Sequence, residues 1–192
     1  ILESVDLVLA EDTRIARKLF LYYNIKTKLL SFHKFSGSSS LRKILNLFEQ
    51  GKNIALITDA GTPGISDPGQ WLISEILKFR NVDISIFSIP GPSAVSAVIS
   101  VSDIDCSSFS FLGFPPHKKG RQTFFKKVAA SDLPVILFES PHRIQKTLRE
   151  LETAVGDRYI NIGRELTKIY EEIFRGNLSE AQKYFVGEHQ RG

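Results

Sequence analysis

The feature that most constrains this chain is a repeated order: apolar run, then a loop of small or polar residues, then a stretch with apolar residues at helical spacing. Val5–Leu9 (VDLVL) and Asn53–Thr58 (NIALIT) are short apolar runs with β-branched residues and predict buried strands. Ile15–Tyr23, Leu41–Gln50 and Gln70–Phe79 place their apolar residues for helices, the second closed by Gly51. Ile25–Phe32 and the alternating Val82–Ile89 predict further strands, Phe35–Ser40 a loop, and Ser93–Val101 a helix of small residues. Strand, loop and helix in this succession predict an α/β fold with a parallel, doubly wound sheet.

Asp103–Ser108 (DIDCSS) is polar and turn-like and marks the expected boundary between two α/β domains, 1–106 and 107–192. The second half repeats the pattern, with strands expected at Phe109–Phe114, Pro134–Glu139, Tyr159–Gly163 and Lys168–Phe174. Helices are expected at Arg121–Ala130, at Pro141–Ala154 and at Ser179–Phe185, the last with Ser179 as N-cap. Ile1–Val5 reads as the tail of a helix and Gly187–Gly192 trails off in polar sequence, so the chain is expected to lack residues at both ends.

Ligands of open α/β sheets sit where strands end and helices begin. Thr58–Gly69 (TDAGTPGISDPG) occupies that place. Its glycines permit positive φ and close approach of the backbone to a ligand, and its prolines limit the entropy lost on binding. Its glycine spacing is neither the dinucleotide fingerprint nor the phosphate loop. Pro90, Gly91, Pro92, Ser93 and Ala94 form a second such segment, which reads equally well as a capped turn. Glu11, Asp12 and Arg14 also follow a strand; they form either a plain helix cap or a carboxylate pair able to hold or deprotonate a hydroxyl. Glu139, His142 and Arg143 lie within five residues of one another after a strand, with Arg143 against the dipole preference of a helix start. His117, Lys118, Lys119 and Arg121 make a basic loop that suits phosphates or is simply a solvated charged loop.

Composition narrows the classes. Hydrophobic residues form 42% and charged residues 24% of the 192, an ordinary globular balance. The formal charge of +4 permits an anionic partner without demanding one. No apolar run approaches the roughly 20 residues of a membrane span, no secretory leader is recognisable, and the single Cys106 can form neither an internal disulfide nor a cysteine-based zinc site. A cytoplasmic protein without a metal is expected.

Six segments together resemble one family: AEDTR (Ala10–Arg14), TDAGTPGISDPG (Thr58–Gly69), PGPSA (Pro90–Ala94), FLGFPPHKKGR (Phe111–Arg121), FESPHR (Phe138–Arg143) and GRELTKIYEEIFRG (Gly163–Gly176). In this order they are similar to the tetrapyrrole methylase superfamily, and within it to the small-subunit ribosomal RNA cytidine 2′-O-methyltransferases. The resemblance implies two α/β domains with S-adenosylmethionine in the cleft between them, a homodimer, and small-subunit ribosomal RNA as substrate. It further implies that Asp59, Ala60, Gly61, Thr62, Pro63, Gly64, Pro90–Ala94, Leu166 and Thr167 line the cofactor. Glu11, Asp12, Glu139 and His142 are the candidates for accepting the hydroxyl proton, and Arg14, Lys118, Lys119, Arg121 and Arg143 for meeting RNA. The family's opening strand and proline–glycine loop precede Ile1, and its histidine-rich segment is here Lys34-Phe35-Ser36-Gly37. Two rivals remain: a tetrapyrrole methyltransferase of the same fold, against which the basic loop speaks, and a non-catalytic RNA- or cofactor-binding module.

Overall fold

The computed structural model describes residues 1–33, 36–67, 69–79 and 83–187. It divides into two compact units, Ile1–Pro92 and Ser93–Gly192.

The first unit runs β1 (Leu7–Ala10), α1 (Thr13–Tyr22), β2 (Lys28–Ser31), α2 (Ser38–Glu49), β3 (Ile54–Ile57), α3 (Gly69–Lys78). Its strands form a parallel sheet in the order β2-β1-β3, with Leu7 opposite both Lys28 and Ile54. All four residues of β1 are buried, which explains its unbroken apolar run: a central parallel strand is covered on both faces. Leu7 and Leu9 pack with Phe32, Ile44, Leu72 and Ile76 into the core of this unit. The helix ends follow local chemistry. Asp12 caps α1 by accepting from the Arg14 N–H. Gly51, with φ of +71°, closes α2, its N–H reaching Phe48 O while the Lys52 N–H reaches Leu47 O.

The second unit runs α4 (Ala94–Ser100), β4 (Ser110–Phe111), α5 (Arg121–Ala129), β5 (Val135–Ile136), α6 (Ile144–Val155), β6 (Tyr159–Arg164), β7 (Glu172–Asn177), α7 (Leu178–Tyr184). β4 and β5 pair in parallel, and the bonds Leu112 N–H to Ile136 O and Phe138 N–H to Gly113 O carry the pairing toward the loops beyond. β6 and β7 form an antiparallel pair. Leu148, Leu178, Ala181 and Phe185 make the second core.

Several expectations change. The segment at 83–89 joins no sheet and exposes Ile86, Phe87 and Ile89: alternation signals a strand only where a neighbour takes the ladder, and none of the described strands does. Lys34, Phe35, Pro68 and Val82, which belong to segments interpreted above, lie outside the described residues, as do residues 188–192. Ile1–Val5 forms a turn, Ser4 N–H to Ile1 O, instead of a helical tail. The strand expected at Lys168–Phe174 forms later, from Glu172, because Lys168 and Glu171 are used in turns. Asn177, not Ser179, caps α7 through a capping box with Glu180, while the Ser179 N–H and hydroxyl bind Asp157. α6 begins at Ile144 because Ser140–Arg143 first makes a turn, Arg143 N–H to Ser140 O.

Gly69 has no room for a side chain. A Cβ there would lie 3.0 Å from Leu56 Cδ2 and 3.1 Å from the Gly64 backbone nitrogen. Gly69→Ala should therefore cost about 1–3 kcal/mol and lower the melting temperature by several degrees; an unchanged melting temperature would contradict this packing.

Candidate active site

In the first unit the carboxyl ends of β1 and β3 bring acids together. The Thr58 hydroxyl lies 2.9 Å from Asp67 Oδ2 and 3.2 Å from Glu11 Oε2. One hydroxyl proton cannot serve both carboxylates, so they compete for it. Burial, then the charge of Asp67, push the Glu11 carboxyl up from its ordinary value. Burial likewise pushes Asp67 up. Asp12, the next residue, is in the opposite situation. Its carboxylate accepts from Arg14 Nη2 at 2.6 Å, Nε at 3.0 Å and the backbone N–H at 2.8 Å. The Arg14 contacts hold it down at about 2. Adjacent acids with opposed environments are the usual basis for a division of roles. Asp12 keeps its charge, caps α1 and orients Arg14, while Glu11 holds a proton more readily.

The backbone beside these acids is built for close approach. Gly61 and Gly64 adopt φ of +73° and +88°. The Thr62 hydroxyl donates to Pro92 O at 2.9 Å, tying the loop after β3 to the segment Pro90–Pro92. The Asp12 N–H reaches Asp59 Oδ1 at 3.3 Å, so the loop after β1 is tied in as well. Asp59, Ala60, Gly61, Pro90 and Gly91 remain exposed, with backbone groups free to meet a ligand. Ser93 caps α4, accepting from the Ser96 N–H, and Ala94 starts that helix in the second unit.

The motif residues of the second unit form a different kind of structure. The Glu139 side chain is only 2% exposed. Its Oε1 lies 2.6 Å from Arg143 Nη2 and accepts from the Ser140 N–H at 2.7 Å; its Oε2 accepts from the Thr147 hydroxyl at 2.6 Å. Arg121, buried against Phe125, donates to Thr147 Oγ1, to Glu150 Oε2 and to Pro116 O. Arg143 donates to Pro115 O at 3.0 Å. A buried arginine and a half-buried one thus bind two buried or half-buried acids and the carbonyls of consecutive prolines. This explains Arg143 at a helix start: Glu139 offsets the unfavourable dipole. It also means that Arg121 and Arg143, expected at an RNA surface, have their donors turned inward, and that Glu139 has both oxygens occupied. Thr147 and Glu150, which complete the network, carried no sequence signal beyond their helical spacing.

His142, Lys118 and Lys119 are exposed. Leu166 packs its methyls where a Cβ on Gly163 would sit, 3.3 Å away, and Thr167 beside it has φ of +70°. A β-branched residue in the left-handed region is strained; Glu171 Oε2 holds it through the Thr167 N–H at 2.5 Å.

Removing one charge from a buried ion network leaves its partner uncompensated. Glu139→Gln should lower stability by about 3–5 kcal/mol while the folded fraction keeps its turnover number. An unchanged melting temperature with lost turnover would instead make Glu139 a proton acceptor.

Comparison with known proteins shows the family of the chain. The model of the tetrapyrrole (corrin/porphyrin) methylases matches residues 1–182. The ribosomal RNA small subunit methyltransferase I of Thermotoga maritima is 41% identical over 184 residues, 96% of this chain and 82% of that protein. Its namesake in Synechocystis is 38% identical, over 100% of this chain and 68% of its own. The Bacillus subtilis protein of that name is 41% identical, over 93% and 61%. Among solved structures, a cobalamin-biosynthetic cobalt precorrin-4 methyltransferase superposes with a TM-score of 0.66 at 19% identity, covering 96% of this chain and 79% of that one. A putative diphthine synthase from Entamoeba histolytica gives 0.62 at 14%, covering 97% and 79%. At those identities the solved structures speak for the fold alone. The chain belongs to the tetrapyrrole methylase family, on the branch of the ribosomal RNA small subunit methyltransferases I.

Proposed function

We propose that the chain methylates the ribose 2′-hydroxyl of a cytidine in small-subunit ribosomal RNA, with S-adenosylmethionine as donor, as a homodimer in the cytoplasm. The observation that carries the reading toward a hydroxyl acceptor is Glu11 at the end of β1, half-buried and 3.2 Å from the Thr58 hydroxyl that it shares with Asp67, beside an Asp12 already paired with Arg14. S-adenosylmethionine, when bound, supplies a methyl group already activated on a sulfonium, so the protein mainly has to align and to take a proton.

Asp59–Gly64, Pro90–Ala94, Leu166 and Thr167 are the residues proposed to hold the donor, largely through backbone groups. A neutral ribose hydroxyl is a weak nucleophile, and a positioned carboxylate that accepts its proton strengthens it. Glu11 suits that task best: it is half-buried, it contacts a hydroxyl in the structure, and its proton affinity is raised. Asp12, tied to Arg14, suits binding better than proton transfer. His142 stays a second candidate through its exposure beside the Glu139 network. Arg14, Lys118 and Lys119 are the exposed cations proposed to meet RNA phosphates.

The purified full-length protein should transfer labelled methyl from S-adenosylmethionine to small-subunit RNA, and digestion should yield 2′-O-methylcytidine. Glu11→Gln should reduce kcat by about 10²–10⁴-fold with donor affinity retained. Absence of ribose methylation beside a working control enzyme would refute the reading.

A further inference from the structure

We infer that the outer face of α1, with the turn that follows it, is a second RNA-binding surface that takes single-stranded nucleotides flanking the target. The inference rests on the reading of RNA as substrate.

Charge is distributed unevenly along the chain. From Thr13 to Phe48 there is no Asp or Glu, and there are eight Lys or Arg. The whole chain has 25 basic and 21 acidic residues, so outside this segment 17 bases face 21 acids. All of the net positive charge resides in this one stretch.

Helical spacing sorts these residues on α1. Ala16 and Phe20 are buried against the unit. Arg14, Arg17, Lys18, Leu21 and Tyr22, three and four residues apart, share the opposite face. Tyr22 is 81% exposed and Tyr23 61%. Their rings meet edge to face with centroids 4.8 Å apart. The turn beneath them is fixed. Asn24 takes φ of +53°, its N–H reaches Leu21 O, and the Ile25 N–H reaches Phe20 O at 2.8 Å. This closing motif leads directly into the exposed Lys26. Among the described residues, Arg17, Lys18 and Lys26 form no ion pair.

Unpaired cations beside exposed, held aromatic rings match the chemistry of single-stranded RNA: phosphates for the cations and unstacked bases for the rings. Duplex RNA hides its base faces and would leave the tyrosines unused. A second copy of the chain fits badly, because a two-fold contact would set this acid-free face against itself. The helix begins at Asp12, beside Glu11, and rises about 1.5 Å per residue. Tyr22 therefore lies about 15 Å from that end, within reach of flanking nucleotides rather than of the reacting ribose.

The test uses the full-length protein with Tyr22→Ala/Tyr23→Ala and, separately, Arg17→Ala/Lys18→Ala. Binding of a short fluorescent single-stranded oligoribonucleotide is measured against salt. Methyl transfer to small-subunit RNA is measured in parallel, and S-adenosylmethionine binding reports an intact fold. The tyrosine variant should bind the oligonucleotide about tenfold more weakly or worse. The cation variant should flatten the log–log salt slope by about 1.4, at roughly 0.7 per phosphate contact. In both, KM for RNA rises while kcat and donor affinity stay within about twofold, since the substitutions act on binding far from the reacting atoms. Unchanged oligonucleotide affinity overturns the surface. So does a duplex that competes as well as the single strand, or a variant that only loses self-association. A wild-type protein that transfers no methyl to RNA overturns the functional reading instead, and the binding measurement then decides the surface by itself.

Discussion

Everything at the candidate site depends on β1 being buried on both faces and paired on both sides. A strand so enclosed can move little, and the residues that leave its end inherit that rigidity. Glu11 and Asp12 are the first two residues beyond it, and the loop after β3, running parallel in the next position, delivers Thr58, Asp59 and Asp67 to the same edge. The sheet thereby does for the acids what no local motif does: it brings residues 47 positions apart within hydrogen-bond reach.

The two units spend charge differently. In the first, acids sit close to one another with a single threonine hydroxyl between two of them, an arrangement that costs stability and raises proton affinity. In the second, the acid Glu139 is matched by Arg121 and Arg143, and the same arginines grip the carbonyls of Pro115 and Pro116. The segments FLGFPPHKKGR and FESPHR are thus two halves of one structure. Their charged residues keep the basic loop anchored at its proline end, while Lys118 and Lys119 face solvent. Like charges held together shift proton affinity, the property that acid–base chemistry uses, whereas compensated charges leave a buried network whose members depend on one another.

The α/β class, the parallel sheet and the loop positions were legible because parallel crossovers leave a periodic signature. Helix caps followed local rules where the cap lay in sequence beside its helix, as at Asp12, Ser93 and Gly51. They failed at Ser179, because Asp157, distant in sequence, claimed its donors. Sequence alone could not rank Glu11 above Glu139. Both are glutamates at strand ends, and only the folded chain shows one beside other acids and the other between arginines. Nor could it tell Lys118 from Arg121, three residues apart, one exposed and one buried. The resemblance to a family identified the segments without saying which charges point outward.

The role of Glu11 is tested most directly by the acid limb of kcat/KM against pH. A base must be ionised to act, so a carboxyl raised by burial and by Asp67 places that limb above the ordinary glutamate value of 4.5. Asp67→Asn removes the negative charge that raises it, and the limb should move to lower pH. A limb that stays fixed in Asp67→Asn, or that persists unaltered in Glu11→Gln, would contradict Glu11 as the proton acceptor.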